Sequence, residues 1–134
     1  DAPDLMSDGA SLETDGDHIF ILRGTSTSDF WQYDPHNGHW TSLNNPPVTM
    51  GAGADLVYKD GYIYTPRGAS TNSFYKYTVS SGLWSTLPNI PGTISTNHNS
   101  SVLGGYIYVN RVANTNTFYR FNFIPTIKIR VYPC

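Results

Sequence analysis

A repeat of 44 residues runs through the chain and restricts its possible folds more than any other sequence feature. The positions that coincide at this spacing are Ile19, Ile63 and Ile107; Arg23, Arg67 and Arg111; Phe30, Phe74 and Phe118; Trp31, Tyr75 and Tyr119; Tyr33, Tyr77 and Phe121; Trp40 and Trp84; and Leu43 and Leu87. Because so many aromatic positions share one register, the sequence predicts three tandem copies of one structural unit.

Within each unit the hydrophobic pattern has a period of two, and turn residues separate runs of four to seven residues. In the second unit this pattern predicts strands over residues 54–58, 62–66, 73–79 and 83–87. The first unit has Asp15-Gly16 and residues 35–38 at the corresponding hairpins, where Gly and Asn accept a positive φ. Each unit is therefore expected to be an antiparallel meander of four strands.

Charge and composition exclude several classes of function. Charged residues make up 13% of the 134 residues and the net charge is −2, so the sequence has no basic surface for nucleic acid or an anionic membrane. It also lacks the run of about 18 apolar residues that a membrane span requires, and it has no signal-peptide pattern. Since it opens without Met, we expect a mature product, a fragment or an excised segment. The polar, hydroxyl-rich and charge-poor composition indicates a location outside the cell or on its surface.

The segment 33–40, Tyr-Asp-Pro-His-Asn-Gly-His-Trp, resembles the Tyr-Asp-Pro…Trp segment of kelch repeats, and Tyr77 to Trp84 repeats its spacing. The resemblance covers nearly the whole chain. It implies four-stranded β-propeller blades, in which the first strand lines a central channel and the fourth lies outermost. The Gly-Gly of the kelch pattern is replaced by Arg23-Gly24, Arg67-Gly68 and Arg111-Val112, and Arg-Gly repeats of this kind resemble microbial surface proteins.

The predicted fold is therefore all-β, with three four-stranded antiparallel kelch-like blades that form a partial or oligomer-completed β-propeller. Residues 1–134 make one propeller segment, with blade 1 at about 7–45, blade 2 at about 51–89 and blade 3 at about 95–132. The alternating residues 126–132 are expected to supply the fourth strand of blade 3.

Three blades are too few to close a propeller, which typically has about four to eight. Two blade faces with aromatic residues are left to be covered. The sequence leaves three solutions open: a ring of two chains, completion by a separate chain or further segment, and head-to-tail stacking into a filament. Further blades, from another copy or from a separate chain, are thus the predicted partners.

Arg23, Arg67 and Arg111 follow the second strand of each unit, so we expect them on one rim of the propeller. There they either bind anionic groups such as carboxylate or sulfate, or pair with nearby Asp and carbonyl groups to hold the loops. Asp15, Asp17 and His18 form an acidic cluster beside a turn, and closely spaced carboxylates suit a hard cation such as calcium. Because only the first unit has this cluster, we interpret it as an ordinary polar turn. The remaining histidines, His36, His39 and His98, are expected to be solvated loop residues, and no metal or cofactor is predicted.

No short signature of a nucleophilic enzyme occurs in the sequence. We therefore predict a non-enzymatic extracellular or cell-surface module for structure, self-assembly or recognition. A lectin-like propeller that binds glycans and a fragment of a galactose-oxidase-like enzyme are the alternatives. Asn99 begins an N-glycosylation pattern, and the single cysteine, Cys134, is the last residue and permits no internal disulfide.

Overall fold

The computed structural model describes residues 1–24, 27–96, 98–110 and 116–122, which form eleven β-strands and no helix. Unit 1 contains β1 (Ser11–Thr14), β2 (Ile19–Leu22), β3 (Phe30–Asp34) and β4 (His39–Ser42). Unit 2 contains β5 (Val57–Lys59), β6 (Tyr62–Pro66), β7 (Phe74–Thr78) and β8 (Leu83–Leu87). Unit 3 contains β9 (Ser100–Leu103), β10 (Tyr106–Asn110) and β11 (Phe118–Asn122).

Each unit is a separate antiparallel sheet in which strands consecutive in the chain are neighbours. Units 1 and 2 have four strands and the described part of unit 3 has three, which confirms the all-β meander fold. The strand predicted over 126–132 lies outside the described residues. β5 begins at Val57, three residues later than predicted, and the amide of Leu56 donates a hydrogen bond to Ser11 in the neighbouring unit instead.

The hairpin turns lie where the Gly-containing dipeptides are. Between β5 and β6, Asp60 and Gly61 have φ values of 50° and 86°, the paired positive values of a type I′ turn. Such a turn matches the right-handed twist of the strands that it joins. These local preferences explain why the sequence alone located most of the hairpins.

Hydrophobic residues between the sheets join the units. We call the face of a unit that contacts the following unit its forward face, and the face that contacts the preceding unit its rear face. The forward face of unit 1 carries Phe20, Leu22 and Phe30 against Ile63, Tyr75 and Tyr77 on the rear face of unit 2. The forward face of unit 2 carries Tyr64 and Phe74 against Ile107, Val109, Tyr119 and Phe121 on the rear face of unit 3.

The same ring contact recurs at both junctions. Phe30 meets the Tyr77 ring edge-on at a centroid distance of 5.0 Å, and Phe74 lies 5.4 Å from Phe121. Phe74 stands 44 residues after Phe30, and Phe121 stands 44 residues after Tyr77. Phe30, Tyr77, Phe74 and Phe121 are therefore inter-unit core, and each fully buried ring contributes about 1.5–3 kcal/mol to the free energy of folding.

The first strands of the three units lie side by side, with β1 next to β5 and β5 next to β9. The three sheets thus share an inner edge and stack face to face, as consecutive blades of a β-propeller do. The described chain is accordingly a partial propeller with its first strands innermost.

Candidate functional site

The guanidinium group of Arg23 is held entirely by neighbouring groups of the protein. Its Nε donates to the carbonyl of Leu5 at 2.9 Å. One terminal nitrogen lies 2.8 Å from the Asp29 carboxylate and the other lies 3.0 Å from Asp4. The hydrogen bond to Asp29 and the charge of Asp4 raise the Arg23 pKa above its ordinary value. Arg23 therefore ties the segment before unit 1 to the loop after β2.

Arg67 repeats only part of this arrangement. Its Nε donates to the carbonyl of Thr49 at 3.0 Å, again 18 residues earlier in the chain. Val48 and Ser73 occupy the repeat positions of the two acidic partners of Arg23. Among the described residues, the terminal nitrogens of Arg67 consequently have no hydrogen-bond partner.

The predicted arginine rim is thus described at two of its three positions, because Arg111 lies outside the described residues. The bond shared by Arg23 and Arg67 is a loop-holding bond to a backbone carbonyl. Anion binding at this rim stays a prediction, and its best location is Arg67, where the repeat provides no carboxylate.

A second polar site, which the sequence did not reveal, lies where the first strands meet. Asp55 accepts a hydrogen bond from the Ser11 hydroxyl at 2.9 Å through Oδ1. Its Oδ2 accepts one from the backbone N–H of Ser100 at 2.6 Å. A single carboxylate in unit 2 therefore binds units 1 and 3. We call Ser11, Asp55, His98 and Ser100 the inner-strand junction.

Bonds at this junction follow the repeat in a regular way. Ser11 accepts from the amide of Leu56, and Asp55 accepts from the amide of Ser100, each 45 residues further along the chain. A polar side chain at the start of β1 (Ser11) and its repeat equivalent two residues before β5 (Asp55) thus each accept a backbone N–H of the next unit. The only sequence signal was that positions 11 and 55 and their equivalent, Asn99, are all polar.

His98 is buried at this junction, with 5% of its surface exposed, so the prediction of a solvated loop histidine was wrong. Its Nδ1 lies 3.4 Å from the carbonyl of Ser95, and among the described residues Nε2 has no hydrogen-bond partner. Burial lowers the His98 pKa, against the opposing effects of the Asp55 charge and the Ser95 carbonyl. The error arose because the residue type suggested a loop, while repeat position 98 corresponds to the buried Ala54.

The acidic cluster of unit 1 is a turn. Asp15 accepts hydrogen bonds from the amides of Asp17 and His18 at 2.9 and 2.8 Å. Burial opposes ionisation of Asp15, but these amides and the nearby imidazole outweigh it and lower its pKa. Across the described ranges, no group of three or more His, Cys, Asp or Glu side chains is placed to hold a metal ion. His36 and His39 are exposed in the hairpin between β3 and β4.

No model of a known protein family matches the sequence, and no curated protein matches it significantly. A solved structure titled "Structure of YjhT", which is of β-propeller type, resembles this fold with a TM-score of 0.69 and 21% sequence identity. The match covers 81% of this chain and 34% of that one, so the chain spans about a third of the length of YjhT. This similarity supports the partial propeller as a fold.

The described part of the chain also contains no helix that is long and apolar enough to cross a membrane.

Proposed function

We propose that the chain is a non-enzymatic propeller module of the kelch type, which acts outside the cell or on its surface in structure, assembly or recognition. In this proposal a rigid, repeated frame displays loops that differ from unit to unit. The observation that carries the proposal is that equivalent positions build the frame, whereas the turn residues before a shared final glycine differ between the units.

The frame is repeated in its bonds as well as in its residues. Phe30 and Phe74 make the same contact with the following unit, and Arg23 and Arg67 donate to equivalent carbonyls. The turns differ: residues 35–38 read Pro-His-Asn-Gly, whereas the equivalent residues 79–82 read Val-Ser-Ser-Gly. Turns that vary on a repeated core are typical of a scaffold for recognition.

The inner-strand junction supports the non-enzymatic part of the proposal. A nucleophilic serine requires a base that takes its proton, and the base must itself be oriented. Ser11 donates to Asp55, whose other oxygen is bound by Ser100, while His98 directs Nδ1 toward the carbonyl of Ser95. These bonds hold the units together and leave no oriented serine–histidine pair among them.

A lectin-like role is the second candidate, because one aromatic pair is partly exposed beside polar groups. Tyr33 and Trp40 lie 4.9 Å apart with their planes at 45°, next to a turn that contains His36 and Asn37. Sugar rings stack on such aromatic faces, while amides bind their hydroxyl groups.

The extracellular location is supported by Asn99, which is exposed at the start of its N-glycosylation pattern.

The test combines a turn exchange with binding and turnover assays. Replacing residues 35–38 by Val-Ser-Ser-Gly should leave the melting temperature nearly unchanged, because unit 2 already accommodates this turn between equivalent strands. Binding on an array of glycans and surface proteins should change. A Trp40→Ala variant separates the two candidates, since only a lectin site at Tyr33 and Trp40 loses its glycan signal.

Unfolding of the turn-exchanged protein would contradict the scaffold proposal. Copper binding accompanied by oxidation of primary alcohols would overturn the non-enzymatic proposal and favour the galactose-oxidase-like alternative.

A further inference from the structure

The forward face of unit 3 is built like the forward face of unit 2, which is an interface. In unit 2, Lys76 lies 4.9 Å over the ring of Tyr62, and in unit 3 Arg120 lies 4.3 Å over the equivalent Tyr106. Two further rings are also equivalent: Tyr64 and Phe74 lie 6.2 Å apart, and Tyr108 and Phe118 lie 5.6 Å apart. Unit 3 therefore presents the surface that unit 2 uses to bind the next unit.

The equivalent phenylalanines of the three forward faces differ in how much of their surface is exposed to solvent. Phe30 is 0% exposed and Phe74 is 3% exposed, because an aromatic ring of the following unit covers each of them. Phe118, at the same repeat position, is 37% exposed. Among the described residues its one ring contact is with Tyr108 in its own unit. Unit 3 thus supplies the phenylalanine of the contact that recurs at both existing junctions, but no described ring of another unit packs against it.

The aromatic pair that receives such a phenylalanine is present on the rear face of unit 1. Tyr33 and Trp40 lie 4.9 Å apart at 45°, and their equivalents Tyr77 and Trp84 lie 5.1 Å apart at 50°. The pair in unit 2 receives Phe30, whose ring centroid is 5.0 Å from Tyr77 and 5.2 Å from Trp84.

In the part of the chain that the structure describes, the ring contacts of Tyr33 and Trp40 stay within unit 1. Both side chains are partly exposed, although Ile21 and Trp31 beside them are buried. Tyr33 and Trp40 therefore already have the geometry of the pair that receives Phe30, although no described ring of another unit packs against them.

We propose that the forward face of unit 3 binds the rear face of unit 1 in a second copy of this chain, with Phe118 packed against Tyr33 and Trp40 of that copy. The inference rests on the proposed assembly role and names its partner. A second copy is the occupant because it carries the required aromatic pair in the geometry of the existing junction. Two copies contribute six units, within the range of about four to eight that closes a propeller, so the head-to-tail contact closes into a ring.

The experiment measures the mass of the 134-residue chain by light scattering and sedimentation equilibrium over a dilution series. We expect twice the chain mass of 14.9 kDa. Phe118→Asp disrupts the forward face, and Trp40→Asp or Tyr33→Asp disrupts the rear face, so each variant alone should have the mass of one chain. Leu83→Asp is the matched control: this leucine is 63% exposed on the outermost strand of unit 2, and its replacement should leave the pair intact.

Mixing the two kinds of variant is the decisive step. A Phe118→Asp copy keeps an intact rear face and a Trp40→Asp or Tyr33→Asp copy keeps an intact forward face, so their mixture should regain the mass of two chains. This recovery also shows that the variants are folded. A wild type that stays at one chain mass, open-ended growth, a pair that survives Phe118→Asp, or a mixture that does not associate would each overturn the proposal.

The result is independent of the test of the proposed function. A single chain that binds ligands through its turns preserves the scaffold function and refutes the pairing. A chain that forms the pair but oxidises primary alcohols confirms the pairing and refutes the non-enzymatic function.

Discussion

Removing the Asp55 carboxylate should loosen all three units at once. In Asp55→Ala the hydroxyl of Ser11 and the amide of Ser100 both lose their acceptor. The amide of Leu56 also donates to Asp55, at 3.0 Å, but it keeps a second acceptor in the Ser11 hydroxyl, so this bond is not counted as lost. A hydrogen bond to a charged acceptor contributes about 1.5–3 kcal/mol, and Asp55 is only partly buried, so we use the lower end for each of two bonds. The expected loss is about 3 kcal/mol in the free energy of unfolding.

Urea unfolding at one protein concentration measures this loss. The three tryptophans, Trp31, Trp40 and Trp84, lie in units 1 and 2, so their fluorescence reports those units, while circular dichroism reports all strands. The midpoint should fall without a change in the denaturant slope. Asp55→Asn keeps one acceptor oxygen but loses the charge, so we expect roughly half of the effect.

Asp17→Ala is the matched control, because Asp17 is exposed and its carboxylate accepts no hydrogen bond from the described residues. It should change stability by less than about 0.5 kcal/mol. A double-mutant cycle with Ser11→Ala should give a coupling of about 1–2 kcal/mol with Asp55→Ala. If Asp55→Ala costs no more than Asp17→Ala, the carboxylate does not join the units and the reasoning is refuted.

Three further predictions concern individual side chains. Burial lowers the pKa of His98 below 6.5, so the folded state binds its proton less readily than the unfolded state does. The stability contribution is complete above pH 6.5 and falls as the pH drops below it; His98→Gln should flatten this slope in pH-dependent urea titrations, and an unchanged slope would argue against it. Arg23→Ala should lower the melting temperature more than Arg67→Ala, because only Arg23 pairs with two carboxylates, and the reverse order in thermal scans would contradict this. Burial, with the negative charges of Tyr62 and Asp60, raises the pKa of Tyr64 to about 12. Stability should therefore fall as the pH rises above 10, less steeply in Tyr64→Phe, and a tyrosinate absorbance titration that shows no late-titrating group would disprove this.

Much of the fold was predictable because its determinants are local or periodic. Strand β6 has the predicted limits, and the turn at Asp60 and Gly61 lies at the predicted dipeptide. The aromatic repeat positions Phe30 and Tyr77 also proved to be inter-unit core. Alternation and turn preference act over a few residues, so they can be recognised without knowledge of the packing.

The candidate site was less predictable. Arg23 was found because its residue type recurs, but its partner Asp4 has no counterpart in unit 2, so the repeat concealed the difference between the two arginines. Asp55 was missed because equivalent positions carry Ser, Asp and Asn, three residue types with no common motif. His98 was misjudged because burial depends on the neighbouring unit rather than on the adjacent residues.

The sequence by itself determined the number of units, their antiparallel meander and the aromatic positions that join them, because a strict spacing of 44 residues and a period of two encode these features directly. Only the tertiary structure decided which polar groups meet between units. The bonds of Asp55 to Ser11 and Ser100 join residues 44 and 45 positions apart. Such contacts depend on the stacking angle of whole sheets, which no short segment of the chain specifies. The same stacking buries Phe30 and Phe74, whereas Phe118 at the equivalent position of unit 3 is 37% exposed.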